Sequence, residues 1–276
     1  MPATYAHVRF GREVFRLLPE SIQSVILSEP GLYDIGLHGP DFFFYYKPYR
    51  RNPVSGIGKK LHRRSGRFFF ARAAGIWKLR QRKKEDLAYL YGYLCHFALD
   101  VYCHGYVNQR IEETGVSHTA IESDFDRFLL EKDGYEPTAR DLTAHIHPGK
   151  EFAGVIAAYH PEADASTVLK CLKGFVFYDH LLLAPGKFKR ALLTGIFDLI
   201  SPGSSLKEHM IMEEADPRCS RTREVLYEKY QNALPAAAAL IENFLSLAED
   251  EENGQKWGGI YRINFESVPE GKKAPL

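Results

Sequence analysis

In the stretch YLYGYLCHFALDVYCHGYVN, Tyr89 to Asn108, three side chains able to bind a metal recur every four residues: His96, Asp100 and His104. Around them Leu87, Leu90, Tyr91, Leu94, Ala98 and Val101 repeat at three- and four-residue spacing, which predicts a helix with one buried face. Four residues advance an α-helix by about 400°, so the two imidazoles and the carboxylate stand above one another on a single stripe. Nitrogen and oxygen donors converging from successive turns suit a borderline-soft divalent cation, zinc above all. The structural alternative is that each is a core group satisfied by a neighbouring carbonyl, since buried polar groups find partners. Three at one spacing favour the metal. Cys95 and Cys103 are expected to pack as small apolar residues.

Further donors lie at distances that only a fold could close. His118 and Glu122 are four apart in VSHTAIESDFDRFLLEK, after a break at Gly115. Thr119 and Glu122 also fit a capping box, which accounts for Glu122 but not for His118. Asp41 follows Gly39-Pro40 and leads the run Phe42–Tyr46, where a carboxylate is either a helix N-cap or a ligand projected from the junction. His62 sits in a basic block and is a surface residue unless the fold encloses it. His7 opens the first predicted helix. His145, His147, His160, His180 and His209 have no partner at ligand spacing, apart from the weak Tyr178-Asp179-His180, and are expected to be structural or exposed.

The elements that must position these groups are helical. Tyr5–Leu18 carries an apolar stripe stopped by Pro19, and Ile22–Leu27 forms a shorter helix before the Pro30-Gly31 break. The second half predicts helices over Phe152–Tyr159, Ser166–His180, Lys187–Leu199, Ser205–Ala215, Thr222–Leu234 and Ala236–Ala248. Breaks fall at Pro161, Pro185-Gly186, Pro202-Gly203 and Pro217. Glu249–Glu252 reads as a solvated helix end and Gly258–Val268 as a short extended segment. With no sustained period-2 run, repeat or linker, the expectation is an all-α single domain over 1–276. Residues 1–130 hold the motifs, and 131–276 are a helical remainder with a short irregular tail.

Among 276 residues the net charge of +1 hides an asymmetry: fourteen Lys and Arg and no acid lie between Lys47 and Lys84. With Phe68, Phe69, Phe70 and Trp77 interleaved, the block suggests an anionic partner: a phosphorylated substrate, nucleic acid or an acidic lipid surface. The alternative is a solvated face. Four Cys without a C-x-x-C agree with a reducing compartment and leave any metal to His and carboxylates. No apolar run is long enough to span a bilayer, and the charged start MPATYAHVRFGREVF lacks a signal-peptide core, so a cytoplasmic protein is expected. The absence of G-x-x-x-x-G-K-[ST], G-x-S-x-G and G-x-G-x-x-G before a helix removes the usual ATPase, serine-hydrolase and dinucleotide signals.

Assembled in order, MPATYAH, Gly39-Pro40-Asp41, Leu61-His62, HFALDVYCH at His96–His104 and HTAIE at His118–Glu122 give the chain its likeness. Over residues 1 to about 130 it resembles the bacterial zinc-dependent phospholipase C family, whose all-helical fold is shared with fungal single-strand nucleases. The resemblance implies a cluster of two or three zinc ions. By position, Asp41, His62, His96 and Asp100 would hold the first, and His104, His118 and Glu122 the second. Asp100 would bridge to a third, completed by His7 and the terminal amine and carbonyl of Met1 or Pro2, where secreted members carry a Trp. Asp41 would also be the general base. The implied activity is phosphoric ester hydrolysis, phospholipase C-like, with an anionic phosphate ester such as a phospholipid as substrate. A single-strand nuclease and a non-catalytic, metal-stabilised helical binding protein are the alternatives.

Overall fold

The computed structural model describes residues 4–200, 205–249 and 257–272. These residues are all-α: they contain no strand, and their extended pairing amounts to two isolated antiparallel bridges, Ser65 with Asn264 and Ile263 with Pro269.

The organising element is α6 (Lys84–Thr114), 31 residues ending on Gly115 in the left-handed conformation. The predicted single buried face proves too modest. From Asp86 to Val101 every residue is buried, so this helix is the axis about which the others pack. Helix α3 (Pro30–Gly36) and α11 (Ser220–Glu249) lie against it. The chain does break before Pro30, at Glu29, and α3 starts on the proline itself, because proline at a first helical turn forfeits only an N–H that has no partner anyway. α11 joins the two segments expected on either side of Pro235. Leu226, Tyr230, Ala233, Ala237, Ile241, Phe244 and Ala248 continue one buried stripe across that residue, and this packing outweighs the missing hydrogen bond.

α3 meets α6 backbone to backbone. A Cβ on Gly92 would stand 2.2 Å from the Tyr33 carbonyl oxygen, and one on Gly36 would stand 2.3 Å from that of Tyr89. Gly92→Ala should therefore force the helices apart and cost about 2–3 kcal/mol, lowering the unfolding temperature by about 5 °C or more. Gly75, where an added Cβ meets nothing within 4 Å, is the control. Alanine there should be neutral or stabilising. Thermal unfolding of the two variants side by side decides it.

The remaining helices enclose this centre. α1 (Thr4–Leu17) packs on α6 and α11, and α2 (Glu20–Ser28) on α6. α4 (Pro53–His62) and α5 (Gly66–Leu79) carry five of the block's fourteen cations, and the others lie in the turns around them and at the start of α6. Phe69, Phe70 and Trp77 are core residues, and Phe68 alone of the four aromatics is exposed, under the guanidiniums of Arg64 and Arg72. The aromatics of the block thus serve packing, and the cations form its outer face. α7 (His118–Lys132), α8 (Lys150–Tyr159), α9 (Ala165–Leu182) and α10 (Lys187–Ile200) follow. Ser205–Ala215 is not an α-helix: a 3₁₀ turn at Ser205–His209 gives way to irregular chain up to the turn at Pro217. The end of the predicted acidic run, 250–252, lies outside the described residues. Gly258–Val268 opens as a 3₁₀ turn, Gly259–Arg262, and only then extends.

Buried histidines outside the motifs have structural partners. The Nε2 of His160 bonds the Tyr89 hydroxyl at 2.8 Å inside an aromatic nest, and His38 and His145 pair through their Nε2 atoms at 2.7 Å. His180 pairs with Asp141 at the surface. All four cysteines are free and buried, and burial pushes the Cys95 thiol up to about 12. They behave as apolar filler, as expected for Cys95 and Cys103.

Candidate metal centre

The stripe on α6 is where the rest of the site gathers. Asp100 is the hub: its Oδ2 lies 3.1 Å from His96 Nε2 and 3.8 Å from His62 Nε2, and its Oδ1 lies 3.4 Å from His7 Nε2 and 3.7 Å from His104 Nε2. All eight side chains singled out in the sequence converge here. Their ligand atoms fall into three groups with separations within 4.8 Å: Asp41, His62 and His96; His104, His118 and Glu122; and His7, His96 and Asp100.

Each incoming donor has its own delivery. Just past the Gly36–Gly92 contact the chain reverses, and Gly39 adopts φ +47° with its α-carbon against the His96 ring, where a Cβ would stand 2.2 Å from the imidazole. Only glycine fits both demands. Pro40 takes the cap position of the 3₁₀ turn Asp41–Tyr45, so Asp41 is its first residue and not its cap, and its Oδ1 has no hydrogen-bond partner. That oxygen faces His62, 3.0 Å from its Nε2. His62, the last residue of α4, is enclosed after all, and its Nδ1–H donates to the Gly58 carbonyl at 2.8 Å. On α7 the cap is Ser117, which accepts from the Ala120 N–H. The alternative capping box of Thr119 with Glu122 is not formed, and Glu122 Oε1 lies 3.0 Å from His118 Nε2 and 3.3 Å from His104 Nε2.

Two supports were not read from the sequence. Asp126 is buried on α7 and accepts from the backbone N–H groups of Tyr5 and Ala6, at 3.0 and 2.8 Å, which holds the start of α1 and so aims His7. A signal was present: His118, Glu122 and Asp126 repeat the i, i+4, i+8 spacing of the α6 stripe. The other support is the tail, whose Phe265 carbonyl accepts from His104 Nδ1–H at 2.7 Å while Ser267 Oγ accepts from the Gly105 N–H. Nothing local in the sequence ties residue 265 to residue 104.

A carbonyl can only accept, so the hydrogen bonds to Gly58 and Phe265 keep a proton on Nδ1 of His62 and His104, and in its neutral form each ring turns its Nε2 lone pair into the site. Several buried atoms there lack a hydrogen-bond partner: His96 Nδ1 and Nε2, His7 Nδ1, Asp41 Oδ1 and Asp100 Oδ2. Three of these, His96 Nε2, Asp41 Oδ1 and Asp100 Oδ2, stand within 4.0 Å of one another or of His62 without hydrogen-bond alignment. Groups that point at a shared centre, rather than at each other, look like this. Around a tetrahedral zinc with bonds of about 2.0–2.1 Å, neighbouring ligand atoms lie about 3.3 Å apart, and the short contacts here run from 3.0 to 3.4 Å. The donor set fits.

The field of the site also asks for positive charge. Burial opposes charging of His62 and His104, yet Asp41 holds His62 up at about 9, and Asp100 with Glu122 holds His104 well above the ordinary imidazole value. Burial works against the Asp100 and Glu122 carboxylates as well, and the imidazoles of His104 and His118 respectively bring them down. His96, by contrast, is kept neutral by burial. The groups open onto a cavity of about 270 Å³ whose wall adds Phe44, Lys59, Arg63 and Glu266. His118 is the most exposed donor, marking the open side. The terminal amine and carbonyl implied for a third ion fall on residues 1–3, outside the described residues.

Among the described residues no helix is long and apolar enough to cross a membrane. Searches of the curated proteins and of the solved structures return no match. A family model described as zinc-dependent phospholipase C matches residues 6–168, a span that opens just before His7 and runs well past Glu122. It covers more than half of the chain and all eight converging side chains, and the chain belongs to the zinc-dependent phospholipase C family.

Proposed function

We propose that this protein is a zinc-dependent phosphodiesterase acting on a phospholipid, releasing diacylglycerol and a phosphorylated headgroup. One observation carries it: three adjoining donor groups, with buried atoms lacking hydrogen-bond partners, line a single cavity that also presents two cations. Asp41, His62 and His96 would hold one ion and His104, His118 and Glu122 a second, with Asp100 between them. His7, His96 and Asp100 offer a third position. Zinc bound there would supply Lewis-acid activation of the phosphate and of the attacking water, and would stabilise the leaving oxygen.

The chain's own residues do the remainder. Asp41 takes the water's proton, since a carboxylate can coordinate through one oxygen and accept through the other. Lys59 and Arg63, four apart on the rim beside His62, attract the phosphate and hold its non-bridging oxygens. Gly58 and Phe265 keep two imidazoles in the metal-binding tautomer throughout.

A nuclease would need stacking platforms for bases, and burial of Phe69, Phe70 and Trp77 removes three of the four the sequence offered, leaving Phe68 under Arg64 and Arg72. The test is a substrate panel on zinc-loaded protein: choline and ethanolamine phospholipids, single-stranded DNA, RNA and a small phosphomonoester. Diacylglycerol should appear from a phospholipid and vanish with chelator. Cleavage of DNA or RNA with no lipid turnover would replace this proposal by the nuclease.

A further inference from the structure

Helix α10 has two apolar faces and a use for only one. Its inner residues Leu193 and Phe197 meet Leu182, Ala184 and Met210 in a small cluster apart from the main core. Its outer face carries Phe188, Leu192, Ile196 and Leu199, with Phe188 and Leu199 85% and 83% exposed. At 100° per residue these four fall within an arc of about 80°. The helix's charges, Lys187, Lys189, Arg190 and Asp198, lie outside that arc. Phe177 and Leu181 are also exposed, on the last turns of α9. The start of α10 is tied to that end of α9, because Lys189 Nζ donates to the His180 and Leu183 carbonyls. Contiguous apolar surface of this kind marks an interaction site.

Cations flank its start. The first turn of α10 has Lys187, Lys189 and Arg190 and no acid; Arg190 is paired with Glu213 at 3.6 Å, while Lys187 is exposed at the positive end of the helix dipole, where an outside anion would be favoured. The surface also adjoins the cleft. The turn after α10 holds the start of α7, where the Ser117 hydroxyl donates to Glu208 one residue before His118, the exposed donor.

We infer that the outer face of α10, with Phe177 and Leu181, rests on an anionic lipid surface and presents the metal cleft to the headgroups. The occupant rests on the phospholipid reading above. Apolar side chains enter the headgroup boundary while the flanking cations meet acidic lipids.

Flotation of the full-length, zinc-loaded protein with vesicles tests this. Wild type should bind phosphatidylcholine vesicles containing phosphatidylserine more tightly than phosphatidylcholine alone. Phe188→Ser combined with Leu192→Ser should lower partitioning by about tenfold or more, with the unfolding temperature and turnover of a soluble phosphodiester unchanged. Leu199→Ser, at the far end of the stripe, gives an independent variant with the same direction of effect. Wild type that ignores the mixed vesicles, or variants that bind as well as wild type, would overturn the inference. So would a wild-type dimer, seen by sedimentation, that the double variant abolishes: the face would then belong to a second copy. Vesicle binding without lipid turnover would sink the substrate assignment and leave the docking surface standing. Turnover of short-chain lipid without vesicle binding would do the reverse.

Discussion

Asp41→Asn is expected to lower turnover of a soluble chromogenic phosphodiester by about 10²–10⁴-fold, the usual contribution of a positioned general base. The amide keeps the shape of the carboxylate and an oxygen able to face a cation, but it cannot take up a proton at neutral pH. His62 and His96 remain beside it, and the turn after Gly39 does not depend on the Asp41 side chain, which caps nothing. Zinc content should therefore stay close to that of wild type. Both readouts are needed: kcat from the chromogenic assay and metal per chain from elemental analysis. Turnover within a few-fold of wild type would remove Asp41 from the role of base. Loss of zinc in step with turnover would make it a ligand only.

Asp100→Asn should have the larger effect on the metal itself. Asp100 is nearly fully buried, stands within 4.0 Å of four imidazoles and, as a member of one donor group, reaches the other two as well. An amide at that place retains volume but removes the charge that balances the cations, and it turns N–H donors toward nitrogens that should be lone pairs. We expect wild type to carry two or three zinc ions per chain and Asp100→Asn about one, held by His104, His118 and Glu122, with hydrolysis lost. Because metal bound only to the folded state stabilises it, the gap between the unfolding temperatures of zinc-loaded and chelator-treated protein should narrow in the variant. A variant that keeps the full zinc complement and the full gap would show that Asp100 is a structural anion. The two substitutions separate cleanly: one spares the metal and stops the chemistry, and the other removes the metal first.

The likeness to the phospholipase C family and the all-α class were legible in the sequence because both rest on short-range pattern. Where two local signals competed, the sequence could not choose. Thr119 with Glu122 satisfies a capping rule, and so does Ser117. Packing selected Ser117 and turned Glu122 toward His104 and His118. Asp41 likewise had a capping alternative, and the close approach of Gly39 to His96 decided against it. The basic, Phe-rich block suggested aromatic recognition, yet Phe69, Phe70 and Trp77 face inward, because an aromatic gains more by burial in a helix interface than by exposure. Pro235 marked a boundary that the buried stripe of α11 overrode.

The α6 stripe and the His118–Glu122 pair follow from local pattern alone, since i, i+4 spacing on a helix places side chains together whatever the rest of the chain does. It took the packed fold to bring His7, Asp41 and His62 to that stripe, to anchor the helix bearing His7 on Asp126, and to close Phe265 over His104. Those contacts join residues far apart along the chain. They depend on how helix surfaces pack, on two glycines allowing backbones to touch and on buried groups finding partners, none of which spacing along a sequence encodes.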